Sequence, residues 1–275
     1  MRATSRAVPL LIALGVVSSP PSSGEIPAFA RDAPAAPSGP PIFAFNGKDL
    51  EGFTTWTRFH KRADPDRVFT VADGMVRVSG QEAGGFATTR EFSDYHLLAE
   101  WRWGKQTWLP RRFGARNSGI MVHSVGEDGQ ALGIWMESVE CQIIEGGTGD
   151  LILVPAKGKT PPRMTSEVRI GPDGQPYYQG GGKSVTRSGT RFNWWGRDPD
   201  WKDILWFRGP RDVDAPVGEW NRMEVICDGD RITCILNGVV VNAGTGSSLT
   251  SGKILFQSEG AEIFFRKIEV RSLRK

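Results

Sequence analysis

The sequence predicts an all-β protein, built as a two-sheet antiparallel β-sandwich. Three features point there. Apolar and polar residues alternate with a period of two through most of the chain from residue 42 onward, as half-buried strands require. The 275 residues include 34 Gly and 18 Pro, enough turn formers to punctuate many short strands. No stretch keeps a helical period for more than a turn or two, and strands that follow one another without helices pack as two antiparallel layers.

Taken in order, Val68 to Val78 reads as a hairpin around Ala72-Asp73-Gly74. In Tyr95 to Trp103, residues Tyr95, Leu97, Ala99, Trp101 and Trp103 share one face, while His96, Leu98, Glu100 and Arg102 share the other. Asn117 to His123 and Glu137 to Glu145 are two further strands. Met223 to Leu236 is a second hairpin that runs into the turn Asn237-Gly238. Lys253 to Phe256 and Glu262 to Val270 complete the set.

The ends and the middle depart from this rhythm. Residues 1–30 carry the three parts of an export signal: Arg2 and Arg6, the apolar run Ala7 to Val17, and Ala28-Phe29-Ala30 as a cleavage site. The apolar run falls short of the ~20 residues a membrane span needs. The protein is therefore expected to be exported, periplasmic or secreted, without a transmembrane segment. Residues 31–41 hold four Pro and read as a stiff linker, leaving 42–275 as the folded domain. A Trp-rich insertion at about 155–219 interrupts the strands. It contains Trp194, Trp195, Trp201 and Trp206, and long loops of this kind often act as lids or binding loops. Trp194 and Trp195 are candidate sugar-stacking groups.

Composition limits the function classes. The 34 Lys+Arg nearly balance 31 Asp+Glu, giving a net charge of +3, which argues against a nucleic-acid partner. Ten Trp beside three Tyr suit a small-molecule or oligosaccharide ligand. Of the three cysteines, Cys227 and Cys234 flank a turn and could pair across the hairpin. Alternatively, Cys141, Cys227 and Cys234 are three buried thiols. No structural zinc spacing is present.

Polar residues on strands mark the candidate site. Alternation puts Glu140 and Gln142 on one face, with Cys141 and Ile143 in the core. Asn117 and His123 share a face of their strand, as do Glu100 and Arg102, and as do Phe264 and Arg266 on theirs. If these strands lie in one sheet, that face is a groove floored by a possible general base, amides and guanidinium groups.

Several motifs in order then resemble one family: Phe45-Asn46-Gly47-Lys48-Asp49-Leu50-Glu51-Gly52-Phe53, the strand from Tyr95 to Arg102, and Asn117-Ser118-Gly119-Ile120. Glu140-Cys141-Gln142-Ile143, Gly218-Glu219-Trp220-Asn221, Leu236-Asn237-Gly238, Gly252 to Gln257 and Phe265-Arg266-Lys267-Ile268 follow. Together they resemble the 3-keto-disaccharide hydrolase domain, whose fold is a concanavalin A-like lectin/glucanase jelly roll. Val139, Lys267, His123 and the length of the Trp-rich segment depart from the family pattern.

The resemblance implies cleavage of glycosides already oxidised to a ketone at sugar carbon 3. The ketone acidifies the hydrogen on carbon 2, a base removes it, and the glycosidic oxygen leaves. Water then adds back. The step needs a base, a cation or donor at the enolate oxygen, and a donor at the leaving oxygen. Glu140 or His123 is the expected base. Arg102, Arg266 or a divalent metal is the expected enolate partner, with Gln142 and Asn117 on hydroxyls. A metal held by His123 and carboxylates is possible, and the cofactor is otherwise open. Two other readings use the same groove. One is a retaining glycoside hydrolase with Glu140 and Glu145, from the E-x-Q-x-x-E spacing, although a regular strand turns Glu145 to the opposite face. The other is a non-catalytic carbohydrate-binding module.

Overall fold

The computed structural model describes residues 25–274, so the expected charged and apolar parts of the export signal lie outside the described residues. The described chain contains eighteen strands. They are β1 (Phe43–Ala44), β2 (Phe53–Thr57), β3 (Phe69–Ala72), β4 (Met75–Val78), β5 (Gly84–Thr88), β6 (Tyr95–Thr107), β7 (Asn117–Val125), β8 (Glu137–Ile144) and β9 (Leu151–Val154). They continue as β10 (Arg163–Ile170), β11 (Pro176–Tyr178), β12 (Lys183–Ser188), β13 (Arg191–Phe192), β14 (Asn221–Asp228), β15 (Arg231–Leu236), β16 (Val239–Gly244), β17 (Lys253–Ser258) and β18 (Ala261–Ser272).

Two antiparallel sheets form the sandwich. The back sheet has the order β16-β15-β14-β6-β18-β4-β3, with β1 also paired to β18. The front sheet has the order β13-β9-β8-β7-β17-β5-β2. The expected alternation along β6 is realised: Tyr95, Leu97, Ala99, Trp101 and Trp103 are all buried between the sheets. They meet Val139, Cys141 and Ile143 of β8 and Ile120 and Val122 of β7 in one apolar core. Phe256 of the front sheet stacks on Phe86 with ring centroids 4.8 Å apart, and meets Phe265 of the back sheet edge-on at 5.2 Å. Such contacts tie the layers together by area burial and ring geometry at once.

Three expectations need correction. The hairpin pairing of Cys227 with Cys234 does not form. β14 and β15 place Val225 opposite Cys234, so Cys227 is out of register, and the disulfide joins Cys141 of β8 to Cys234 of β15 across the core. Cys227 stays a buried free thiol. Next, the stretch 155–219 is not all loop: residues 163–188 fold as a third sheet, β11-β10-β12, whose Thr165 bridges Thr245 beyond the end of β16. β10 alternates in burial, but its inward face places Ser166 between Met164 and Val168 and ends in the exposed Ile170, so the period-two signal is weak there. Last, the polar strands do not share a sheet. β7 and β8 lie in the front sheet, whereas β6 and β18 lie in the back one.

At the N-terminal edge, Ala28–Ala30 forms a 3₁₀ turn. Ala30 is fully buried and Phe29 meets Tyr178 edge-on at 5.6 Å, so the expected cleavage site lies packed against the domain. Among the described residues, no helix is long and apolar enough to cross a membrane.

Candidate active site

The outer face of the front sheet carries the site. On β8 the core takes Cys141 and Ile143, so Glu140 and Gln142 point the other way. Asn117 on β7 and Gln257 on β17 share that outward face. Between them, Gly119 of β7 is flanked by Glu140 and Gln257. A Cβ there would collide with Glu140 Oε1 and lie 2.6 Å from Gln257 Oε1. The missing side chain lets groups two strands apart converge.

This face is covered rather than solvated. The loop after β7 folds back over it, and Ala131, Ile134 and Trp135 pack on Met121, Ala87 and Leu255 in a second apolar cluster. Trp135 is fixed by its indole N–H, which donates to the Gly84 carbonyl at 2.9 Å. On the other side the Trp-rich insertion supplies Trp201 and Asp203. Between them lies a cavity of about 400 Å³, lined among others by Glu140, Gln142, Asn117, Arg111, Arg191 and Glu259. Glu140 and Gln142 are each 5% exposed. Glu140 Oε1, Gln142 Oε1, Asn117 Oδ1 and Gln257 Oε1 have no partner in the protein. Buried polar atoms are ordinarily satisfied, so four orphans around one cavity indicate a place shaped for a polar ligand.

Two carboxyls lining this cavity have raised proton affinities. Burial pushes Glu140 up to about 8, and the charge of Glu259 adds to it, while Arg191 and Gln257 oppose the shift. Burial likewise lifts Glu259 to about 7, against the pull of Arg111 and of a hydrogen bond from Asn117. Two carboxyls raised to this range in one cavity are suited to acid–base catalysis near neutral pH. Each arginine has its own anchor: Arg111 reaches Asp203 at 2.8 Å, and Arg191 reaches the fully buried Asp150 at 3.2 Å.

A smaller cavity of about 170 Å³ adjoins the first, and the two share Arg111, Trp135 and Glu259. Glu259 therefore stands at the junction.

The expected site residues divide. Glu140, Gln142 and Asn117 meet in the main cavity. His123 does not join them. A bulge between Val122 and Val125, with His123 at φ 51°, breaks the alternation and turns its ring onto Tyr95, 5.7 Å away. Its Nδ1 lies 2.9 Å from the Leu249 carbonyl, and burial lowers its proton affinity. The one group of His and carboxylates with ligand spacing among the described residues is His60, Asp66 and Glu82, which lacks His123. Glu100, Arg102 and Arg266 lie on the outer face of the back sheet. There Glu100 pairs with Arg266 at 2.6 Å, and both arginines stack on Trp220.

Glu145 follows β8 in a turn and is held by Arg116 at 2.7 Å in a buried ion pair. It also accepts the Arg116 and Trp206 backbone N–H groups. Its backbone carbonyl accepts from the Trp201 indole at 2.8 Å, so Glu145 anchors the insertion. Trp194 and Trp195 are buried against each other, with Trp195 Nε1 bonded to the Val240 carbonyl. Trp201 and Trp135 are the tryptophans that line the cavity.

Sequence reasoning missed Glu259, Gln257, Arg111, Arg191 and Asp203. Alternation past Lys253 to Phe256 would have placed Leu255 and Gln257 on the outward face with Glu259 just beyond. The arginines and Asp203 arrive from loops and a strand edge, where no period announces them.

Similar solved structures include a proposed glycosyl hydrolase from Parabacteroides distasonis ATCC 8503, 21% identical over 85% of this chain and 98% of that one, with a TM-score of 0.46. The carbohydrate-binding module CBM66 from Bacillus subtilis is 12% identical over 80% and 96%, with a TM-score of 0.44. A Bacillus licheniformis β-glucanase is 9% identical over 86% and 100%, with a TM-score of 0.42. No curated protein matches the chain in sequence. Residues 41–271, which span both sheets and every group lining the cavity, match the family model described as a 3-keto-alpha-glucoside-1,2-lyase-like domain, and the chain belongs to that family.

Proposed function

We propose that the protein cleaves 3-keto-glycosides by elimination followed by hydration, with Glu140 and Glu259 as its acid–base pair. The observation that carries this reading is the pair itself. Two carboxyls line one cavity with proton affinities near neutrality, beside two arginines and four unpartnered amide or carboxyl oxygens. The sugar occupies the main cavity, where Gln142, Asn117 and Gln257 meet its hydroxyls. Glu140, deep in that cavity, takes the proton from carbon 2. The C2 electrons move into the C1–C2 bond as the C1–O bond breaks, and Arg191 or Arg111 steadies the negative charge on the C3 oxygen. Glu259, at the junction of the cavities, donates its proton to the departing oxygen. In the second half water adds its oxygen to C1 and a proton returns to C2, so the net change is hydrolysis.

Glu145 is occupied by Arg116 and Trp206, which disfavours a retaining mechanism through Glu140 and Glu145, since that chemistry needs two free carboxyls ~5–5.5 Å apart. The Cys141–Cys234 disulfide and the signal-like sequence of residues 1–30 support export to an oxidising compartment.

The test is turnover of a 3-keto-glycoside by the variants Glu140→Gln and Glu259→Gln. Losing a general base or acid costs roughly 10²–10⁴-fold. Both variants should fall in that range while keeping wild-type melting behaviour at pH 5. Near-wild-type turnover by either removes that residue from the mechanism.

A further inference from the structure

The smaller cavity differs in character from the larger one. Ala83, Leu109, Pro110, Ile134 and Trp135 supply apolar wall, while Arg58 and Gln81 are its polar groups apart from the shared Arg111 and Glu259. Leu109 is 72% exposed at this cavity, although apolar side chains of that size gain from burial. Swinging the Trp135 ring to close the space would break its N–H bond to Gly84 and its packing on Met121, Ala87 and Leu255. Size narrows the occupant further. A cavity of roughly 150 Å³ with apolar walls accommodates benzene, and this one measures about 170 Å³. That space suits one aromatic ring. The Ala83, Leu109, Pro110, Ile134 and Trp135 wall offers the hydroxyls of a second hexose no free side-chain partner, since the Trp135 N–H is taken by Gly84, and unpaired polar groups are costly to bury.

From the lining that the two cavities share at Glu259, Arg111 and Trp135, we propose that the smaller one is the leaving-group subsite and that it takes a single-ring aryl aglycone. The substrate class is then the 3-keto-glycoside of a simple phenol. This inference rests on the reading of the main cavity given above and specifies what sits beside it. Glu259 lies between sugar and ring, where the glycosidic oxygen must be, and the departing group leaves as a neutral phenol after accepting its proton. Leu109 becomes covered when the ring is bound.

The experiment uses phenol itself as the probe, so that the subsite is tested without turnover. Calorimetric titration of the full chain with phenol should show binding at one site. Ala83→Phe, which fills the cavity, should weaken phenol at least tenfold, and Leu109→Ser, on an exposed side chain, should weaken it severalfold. In Ala83→Phe the ratio of kcat/KM for the phenyl substrate over a 3-keto-disaccharide should drop at least tenfold. The ratio within each variant cancels the better leaving ability of phenol. If Ala83→Phe fails to fold, Leu109→Ser decides by the same titration. Absence of phenol binding, or binding unchanged in the folded variants, overturns the subsite. Phenol binding that responds to the variants, with neither substrate turned over, leaves the subsite standing and removes the proposed reaction instead.

Discussion

Glu140 and Gln257 sit on strands that do not touch, β8 and β17, yet their side chains flank the same point above Gly119 of the intervening β7. The proposed general base and its amide neighbour thus depend on an absent side chain. Gly119→Ala should cost at least 100-fold in kcat/KM, because the new methyl displaces Glu140. Its stability loss should stay within the ~1–3 kcal/mol of an overpacked site. Kinetics paired with thermal melting checks this. Full activity in the alanine variant would show that the convergence is dispensable.

The pair of carboxyls predicts a narrow pH profile. Glu140 must be ionised and Glu259 protonated, which with Glu140 raised to about 8 and Glu259 to about 7 is the minor of the two singly protonated forms, so kcat/KM should follow a bell of reduced height with its maximum between about 7 and 8. The limbs belong to the pair jointly. A flat profile from pH 5 to 9 contradicts the assignment.

Stability should carry the same signature with a definite sign. The fold raises Glu140 from its ordinary 4.5 to about 8, so the native state binds this proton more tightly than the unfolded chain does. Below about pH 4.5 both states hold the proton and there is no cost. Between about 4.5 and 8 the native state loses ground as pH rises, and above 8 the loss is complete. Glu140→Gln removes the penalty. Its melting temperature should match wild type near pH 4.5 and exceed it increasingly toward pH 8.5. A difference independent of pH would show that burial does not perturb this carboxyl.

The Cys141–Cys234 disulfide closes a separation of 93 residues and backs the strand that carries Glu140. A loop of that size is worth up to roughly 4–5 kcal/mol in chain entropy. Cys234→Ala should lower the denaturation midpoint accordingly, and thiol titration of the unfolded wild type should find one free cysteine, Cys227. Three titratable thiols would refute the pairing.

The fold was legible because it rests on alternation. Tyr95 to Trp103 and Glu140 to Ile143 face the way their period demands, and the two hairpins form where their turns predict. The site was legible only where the period holds. Glu140, Gln142 and Asn117 stand on regular strand, whereas the bulge beside His123 reverses a side chain without any marker in the local residues. Glu100, Arg102 and Arg266 have the right outward orientation on the wrong sheet, because period two gives a face but not a layer. Arg111 and Asp203 reach the cavity from loops whose path depends on tertiary contacts. Glu145 matches a catalytic spacing, but the Arg116 ion pair that claims it comes from a distant segment.

The central claim is that a ketone on the sugar is what makes this site reactive. Incubation of the purified protein with a 3-keto-glycoside beside its unoxidised parent tests it most directly. The leaving group should be released from the 3-keto compound alone. Release from both would make the protein an ordinary glycosidase, and binding without release from either would make it a carbohydrate-binding module.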